Sequence, residues 1–173
     1  MPKDTATLTP AQKAARTKKL KKAAQNALKT AKWARIMTKY LVTHSSKDGV
    51  KWQLVEFGGR KGQESKGIVD LIAIRKDHKA PKNGGFRGDL FEIVLIQVKG
   101  GSAAFPSSAD VDRLMAVKKH HNARQVVLSE WKLGETLSFY VLPDTSKSVP
   151  ASQIFGKVPK SIKVQISAKA VTE

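Results

Sequence analysis

The pattern of apolar and polar residues predicts a long helix near the start of the chain. Five apolar residues recur at helical spacing and give residues 32–43 one apolar face that should pack on a sheet: Trp33, Ile36, Met37, Tyr40 and Leu41. Upstream, Thr9 followed by Pro10 and Gln12 matches an N-cap, a first helical residue and a capping box. The helix is therefore expected to begin after Thr9 and to run on past Thr30.

Shorter apolar runs after this helix predict a sheet. Five segments have the alternating or continuous apolar character of strands, and they cover residues 50–57, 67–74, 93–99, 124–130 and 136–142. Between the third and the fourth, Ser108 is predicted to cap a second helix that ends near Asn122, because Asp110 and Asp112 fall in its first turn. The predicted order is αβββαββ. A further alternating segment at 161–167 suggests an added edge strand.

Two of the predicted strands contain polar residues where apolar ones would serve a core better. Asp70 interrupts the run 67–74, and Gln97 and Lys99 close the run 93–99. Residues two apart on a strand share a face, so Gln97 and Lys99 should project together, and Asp70 joins them if the strands are neighbours. A carboxylate for a divalent cation, an amide oxygen beside it and an ammonium group to polarise or deprotonate water are the parts of metal-assisted phosphodiester cleavage.

These three residues make the chain resemble the PD-(D/E)xK nuclease superfamily, in which an acid on one core strand is followed by (Glu/Asp/Gln)-x-Lys at the end of the next. Asp70, Gln97 and Lys99 fill that pattern, and the glutamine variant with the stretch 52–59 resembles type IV restriction endonucleases and Holliday junction resolvase-like nucleases. The resemblance covers residues 31–142. It implies an α/β, restriction-endonuclease-like αβββαββ core with a mixed sheet flanked by helices, and an endonuclease that hydrolyses DNA phosphodiester bonds.

The chain departs from the superfamily pattern where a metal ion would bind. Gln97 supplies a neutral amide in place of a second carboxylate, so Mg²⁺ or Mn²⁺ is expected to be held by Asp70, Gln97 and the Val98 carbonyl. Many members also carry an acid on the first helix, and the predicted helix at 32–43 has none. Glu56 or Glu64 would then have to substitute for that acid.

The distribution of charge predicts a polyanionic partner. The chain has 32 Lys and Arg residues against 14 Asp and Glu residues, a formal net charge of +18. Residues 1–40 hold 11 basic residues and one acidic residue, which accounts for +10 of it. We interpret residues 1–30 as a basic, helix-forming arm, residues 31–142 as the nuclease-like core and residues 143–173 as a C-terminal extension. The residues expected to contact nucleic acid are Lys18, Lys19, Lys21, Lys22, Arg60, Lys61 and Arg113.

Composition sets the remaining limits. A chain of 173 residues that is 40% hydrophobic can bury one ordinary core. The absence of cysteine excludes a disulfide framework and a thiolate metal site. No apolar stretch reaches the roughly 20 residues of a membrane span, and the N-terminus lacks the apolar core of a secretory signal. A soluble, cytoplasmic protein is expected, and its basic charge allows association with the nucleoid.

Two other functional classes stay open at this point. One is a catalytically inactive nucleic-acid-binding protein on a nuclease-like scaffold, in which Gln97 marks the loss of catalysis. The other is an RNA-associated structural protein, which agrees with the basic arm but leaves Asp70 and Lys99 unexplained. DNA is the expected partner and RNA the alternative, and a homodimer is the assembly that would cut both strands.

Overall fold

A mixed five-stranded sheet flanked by helices forms the body of the protein. The computed structural model describes residues 9–57, 68–78, 85–101, 103–132 and 135–158. The elements in chain order are α1 (Pro10–His44), β1 (Ser46–Lys47), β2 (Val50–Lys51), β3 (Gln53–Glu56), β4 (Leu71–Asp77), β5 (Leu90–Gly100), α2 (Ser108–His120), β6 (Gln125–Trp131), β7 (Ser138–Val141) and α3 (Ala151–Phe155). Within the described ranges, no helix combines the length and hydropathy needed to cross a membrane.

The strands of the sheet lie in the order β3-β4-β5-β6-β7. β5 and β6 are parallel, and the other neighbours are antiparallel. β1 and β2 form a separate hairpin across Asp48 and Gly49, whose φ angles of 53° and 77° suit a tight two-residue turn. The mixed sheet flanked by helices agrees with the sequence prediction, and the hairpin and α3 are additions to the predicted order.

α1 is one unbroken helix that joins the basic arm to the core. It starts at the predicted capping box, in which the Gln12 N–H donates to the Thr9 side chain and the Thr9 N–H donates to the Gln12 side chain. Residues 9–29 are exposed along their whole length. The buried stripe lies one position from the predicted one, because Ile36 is 40% exposed and the residues that pack inward are Ala34, Met37, Thr38, Leu41 and Val42.

The two faces of the sheet have separate cores. α1 packs on one of them, the α1 face, together with Leu71, Ile96 and Phe139. α2 packs on the other, the α2 face, where Leu114 meets Leu95. Side chains alternate along a strand, so even-numbered residues of β5 point to the α1 face and odd-numbered residues point to the α2 face.

α1 runs antiparallel to β5 and extends past the end of that strand. Its crossing point is Gly100, where a Cβ atom would lie 2.7 Å from the Ala31 Cα and from the Thr30 carbonyl oxygen, so only glycine allows this approach. At the other end, Lys47 just after α1 bonds Glu92 near the start of β5. Residues 10–29 therefore extend beyond the edge of the sheet at which β5 ends.

Several predicted boundaries were wrong. β4 begins at Leu71, so Asp70 lies immediately before the strand and not inside it. β4 also continues to Asp77, three residues beyond the predicted end at residue 74, and Arg75 is only 2% exposed. The predicted strand at 50–57 is divided into β2 and β3 by the buried Trp52.

The predicted ends of the second helix also differ from those in the structure. The N-cap of α2 is Ser107 and not Ser108, and the helix ends at His120. Residues 58–67, which separate the first two predicted strands, and the predicted edge strand at 161–167 lie outside the described residues.

Candidate active site

Asp70 is held against β5 by both its backbone and its side chain. Its N–H donates to the Ile96 carbonyl at 3.0 Å. Its carboxylate Oδ2 accepts from the Val98 N–H at 2.7 Å. The carboxylate thus lies against the β5 backbone between Gln97 and Lys99, which connects the acid directly to the Gln-x-Lys segment.

Gln97 and Lys99 both lie on the α2 face of β5. Gln97 is 9% exposed, and its Oε1 is buried without a hydrogen-bond partner among the described residues. Lys99 is half-buried and lies beside Glu130 in the register of β6. Hydrogen bonds from Ser107 lower the pKa of Asp110, and the positive charge of Lys99 is a smaller contribution in the same direction. The Lys99 ammonium therefore lies near enough to the first turn of α2 to act on Asp110.

Arg35 of α1 connects two acidic residues of the sheet. Its Nη2 lies 3.3 Å from Asp70 Oδ1, and its Nε lies 3.8 Å from Glu56 Oε1. Lys39, one turn further along α1, pairs with the other oxygen of Glu56. Glu56, predicted as a substitute for the missing helical acid, is thus a neighbour of Asp70 through a shared guanidinium. Glu64 lies outside the described residues.

Arg35 was missed by the sequence analysis. It lies beside the apolar stripe of α1, in the half of the helix that packs on the sheet. The sequence did contain one signal for it: Arg35 is a charged residue in the half of α1 that packs on the sheet, and it has no acidic residue nearby in the sequence to pair with.

Glu130 is a second residue that the sequence analysis missed. It is 7% exposed, its Oε2 accepts from the Tyr140 hydroxyl at 3.3 Å, and its Oε1 lies 3.3 Å from Lys132 Nζ. Burial, with the charge of Glu130 next in importance, raises the pKa of Tyr140. Glu130 stands inside an apolar run, which is the criterion that selected Asp70, and the same test would have found it.

Those predicted nucleic-acid contacts that fall on described residues are not among the ion pairs and hydrogen bonds around Asp70. Four of them are exposed on the part of α1 that extends past the sheet: Lys18, Lys19, Lys21 and Lys22. Arg113 is 64% exposed on α2 and lies 3.8 Å from Asp110. Arg60 and Lys61 lie outside the described residues.

Glu92 belongs to a separate ionic cluster near the start of β5, on the α1 face. Its carboxylate accepts from Arg75 Nε at 2.7 Å and from Lys47 Nζ at 2.8 Å, and it also pairs with Arg124. Arg75 is in turn 3.2 Å from Asp48. These groups neutralise one another around the hairpin β1–β2, away from Asp70.

The oxygen atoms of Asp70 and Gln97 are of the chemical type that binds a hard divalent cation. The Asp70 carboxylate and the Gln97 Oε1, which has no hydrogen-bond partner in the described part of the chain, are the ligand types that Mg²⁺ and Mn²⁺ prefer. Arg35 is a competitor, because its guanidinium already balances the charge on Asp70. Among the described residues, no three His, Cys, Asp or Glu side chains gather as a metal site. A cation would thus depend on amide and carbonyl oxygens in addition to one carboxylate.

Comparisons with known proteins give one structural likeness. No protein family profile matches the chain, and no curated protein matches it. Among solved structures, the chain is similar to Hjc, a Holliday junction resolvase from the archaeal hyperthermophile Archaeoglobus fulgidus. The two share 13% identity over 69% of this chain and 86% of that one, with a TM-score of 0.32. The functional argument therefore rests on the geometry of this chain.

Proposed function

We propose that the protein is a metal-dependent endonuclease that hydrolyses DNA phosphodiester bonds at the end of β5. The observation that carries the proposal is the 2.7 Å hydrogen bond from the Val98 N–H to the Asp70 carboxylate. It joins an acid at the start of β4 to the polar residues Gln97 and Lys99. An acid, an amide oxygen without a partner among the described residues and an ammonium group near one strand end suit hydrolysis of a phosphodiester.

The residues of the proposed site divide into those that would hold the cation and one that acts on the water or the phosphate. Asp70, the Gln97 amide oxygen and the Val98 carbonyl would hold Mg²⁺ or Mn²⁺, which when bound supplies Lewis acidity at the phosphate. Lys99 polarises the attacking water or neutralises the charge that develops on the phosphate oxygens. Water forms the new bond to phosphorus, the ester P–O bond breaks, and a proton ends on the leaving oxygen.

Arg35 and Lys39 complete the electrostatics of the proposed site. They pair with the two carboxylates of Asp70 and Glu56, so these four charges balance before anything binds, and Lys99 adds one further positive charge on the α2 face of β5. A phosphate would attract Arg35 away from Asp70, because a guanidinium binds two phosphate oxygens at once. Release of Asp70 would then coincide with arrival of the substrate.

A nicking assay on supercoiled plasmid with Mg²⁺ or Mn²⁺ tests the proposal. Asp70→Asn and Lys99→Met should each abolish cation-dependent cutting, while the affinity for DNA measured in EDTA stays close to that of the parent. Asp112→Asn and Lys119→Met make the same changes at exposed positions of α2 and should cut as the parent does. Cutting by the Asp70 and Lys99 variants at the parental rate would refute the assigned site.

One observation favours a second candidate, a DNA-binding protein without catalysis. Asp70 is already paired with Arg35, and the surrounding charge suits a phosphate better than a dication. A titration with Mn²⁺ followed by electron paramagnetic resonance separates the two candidates. Binding of Mn²⁺ that Asp70→Asn removes supports the endonuclease, whereas a protein that responds to divalent cations only through ionic strength is a binder.

A further inference from the structure

Five of the eight basic residues between Pro10 and Lys32 lie on one face of α1. At 100° per residue, five lysines fall within an arc of about 100°, and we call them the lysine face: Lys18, Lys21, Lys22, Lys29 and Lys32. The first three also line one shallow hollow on the helix surface, together with Gln25. Lys13, Arg16 and Lys19 point in other directions.

Nothing in the described structure neutralises the lysine face. The sequence has no acidic residue between Asp4 and Asp48, and the ion pairs of the described residues involve none of the five lysines. Like charges three and four residues apart each destabilise a helix by about 0.2–0.5 kcal/mol. A polyanion laid along this face would remove that repulsion, whereas a second copy of the arm would add to it.

The same face leads to the candidate active site. Lys32 lies about one turn before Arg35 and about two turns before Lys39, the residues that pair with Asp70 and Glu56. Lys18 and Arg35 are about 26 Å apart along the helix axis. That length corresponds to roughly seven or eight base pairs of duplex DNA.

The amino-acid composition of the arm indicates which type of polyanion it binds. A single strand is normally held by aromatic side chains on which its bases stack, and residues 10–30 contain no aromatic residue. A helix that lies in a membrane surface needs a broad, bulky apolar face, and the side of the arm opposite the lysine face carries one bulky apolar residue, Leu20, beside Arg16, Ala23 and Ala27. The phosphate backbone of a duplex is the partner that needs charge alone.

We infer that the lysine face holds the backbone of duplex DNA on one side of the scissile phosphate, over roughly seven or eight base pairs, and directs it toward Arg35. The inference takes from the proposed function only that DNA is the partner. It predicts which face of the arm binds and how much flanking duplex is needed, and both can be measured without hydrolysis.

Fluorescence anisotropy in EDTA compares two variants that lose the same charge. Lys18→Gln with Lys29→Gln should weaken binding to a 20-base-pair duplex about tenfold or more and make the salt slope about two units shallower. Lys13→Gln with Arg16→Gln should change both far less. Circular dichroism should show equal helix content, since glutamine is a good helix former. Equal losses in the two variants, or no loss in either, would overturn the inference.

Duplex length and probe position provide the second measurement. Affinity should rise steeply as the duplex grows from about 6 to about 14 base pairs, and single strands and phosphatidylglycerol vesicles should bind more weakly than the duplex. The chain has no cysteine, so Gln25→Cys on the lysine face and Ala27→Cys on the opposite face can each carry a tethered iron chelate. Strand scission from Gln25 but not from Ala27 is expected. Scission of equal strength from both, preference for vesicles or single strands, or indifference to length would contradict the assignment.

A failure of this inference is distinct from a failure of the proposed function. A protein that cuts plasmid but binds equally well without the lysine face keeps the endonuclease and loses the docking surface. A protein that binds duplex through the lysine face but never cuts keeps the docking surface and loses the endonuclease.

Discussion

At the scale of single residues, Arg35 decides whether Asp70 is available to a cation. The pair is 3.3 Å apart, and the side chains of Arg35 and Asp70 are 23% and 19% exposed. An ion pair this accessible to water contributes about 0.2–1 kcal/mol. Arg35→Gln keeps most of the side chain and removes the charge, so Mn²⁺ affinity should rise about two- to fivefold.

Mn²⁺ titration by electron paramagnetic resonance measures this effect, and Arg16→Gln on the exposed arm is the matched control, with an unchanged affinity expected. A weaker affinity in the Arg35 variant would mean that the guanidinium does not compete with the cation. Arg35 itself was not predictable, because its partners lie 21 and 35 residues away in the sequence and meet it only after α1 has packed on the sheet.

The buried pair of Arg75 and Glu92 is the most costly residue-scale interaction to break. Their side chains are 1% and 5% exposed. Arg75→Met should lower the free energy of unfolding by about 3 kcal/mol, because it leaves a buried carboxylate with less compensation. Arg75→Met with Glu92→Leu should recover much of that loss. Urea unfolding of the two variants measures the difference, and a double variant less stable than the single one would contradict this account.

The pH dependence of the same pair follows from the pKa of Glu92. Burial raises that pKa above 4.5, and the hydrogen bond from Arg75 opposes the rise. Without Arg75 the pKa should rise further. The folded state then binds more protons than the unfolded state, so the stability deficit of Arg75→Met should grow as the pH rises from about 4.5 through the folded pKa. A deficit that shrinks over that range would contradict the assigned cause.

At the scale of elements, the start of α2 shows how a local prediction can be one residue off. The sequence analysis placed the cap at Ser108, and the structure uses Ser107, whose side chain donates to Asp110 Oδ2 at 2.8 Å and accepts from the Asp110 N–H. Ser107→Ala should lower the free energy of unfolding by about 1 kcal/mol. Ser108→Ala, already inside the helix, should leave it nearly unchanged or raise it slightly. Thermal unfolding distinguishes them, and equal effects would argue against Ser107 as the cap.

The elements predicted correctly are those whose defining residues lie within a few positions of one another in the sequence. Thr9 and Gln12 fix the start of α1, and the continuous apolar run at residues 93–96 fixes the core of β5. The second half of β4 could not be predicted in the same way. Arg75 looks like a loop residue until Glu92, on the neighbouring strand, supplies its charge partner inside the core. The buried stripe of α1 was displaced for a related reason, since Thr38 packs inward by bonding Ser129 on β6.

At the scale of the whole molecule, one helix carries both the proposed docking surface and part of the proposed site. α1 passes Gly100 in close contact and continues to Arg35 and Lys39 without a break. A duplex bound to the exposed half is therefore connected to the site by rigid helix and not by a flexible linker. In this proposed division, the arm provides the affinity for DNA and the residues at the end of β5 provide the chemistry.

The division predicts opposite kinetic changes in two sets of variants. Lys18→Gln with Lys29→Gln removes contacts that are the same in the ground state and the transition state, so KM for duplex DNA should rise about tenfold while kcat stays near that of the parent. Lys99→Met removes an interaction that matters when charge develops on the phosphate, so kcat should collapse with little change in affinity. Steady-state nicking over a range of DNA concentrations measures both.

High DNA concentration should rescue the arm variant but not the Lys99 variant, because saturation restores occupancy and not chemistry. A lower kcat in the arm variant at saturation would mean that the arm also aligns the scissile phosphate, and that affinity and chemistry are coupled through α1.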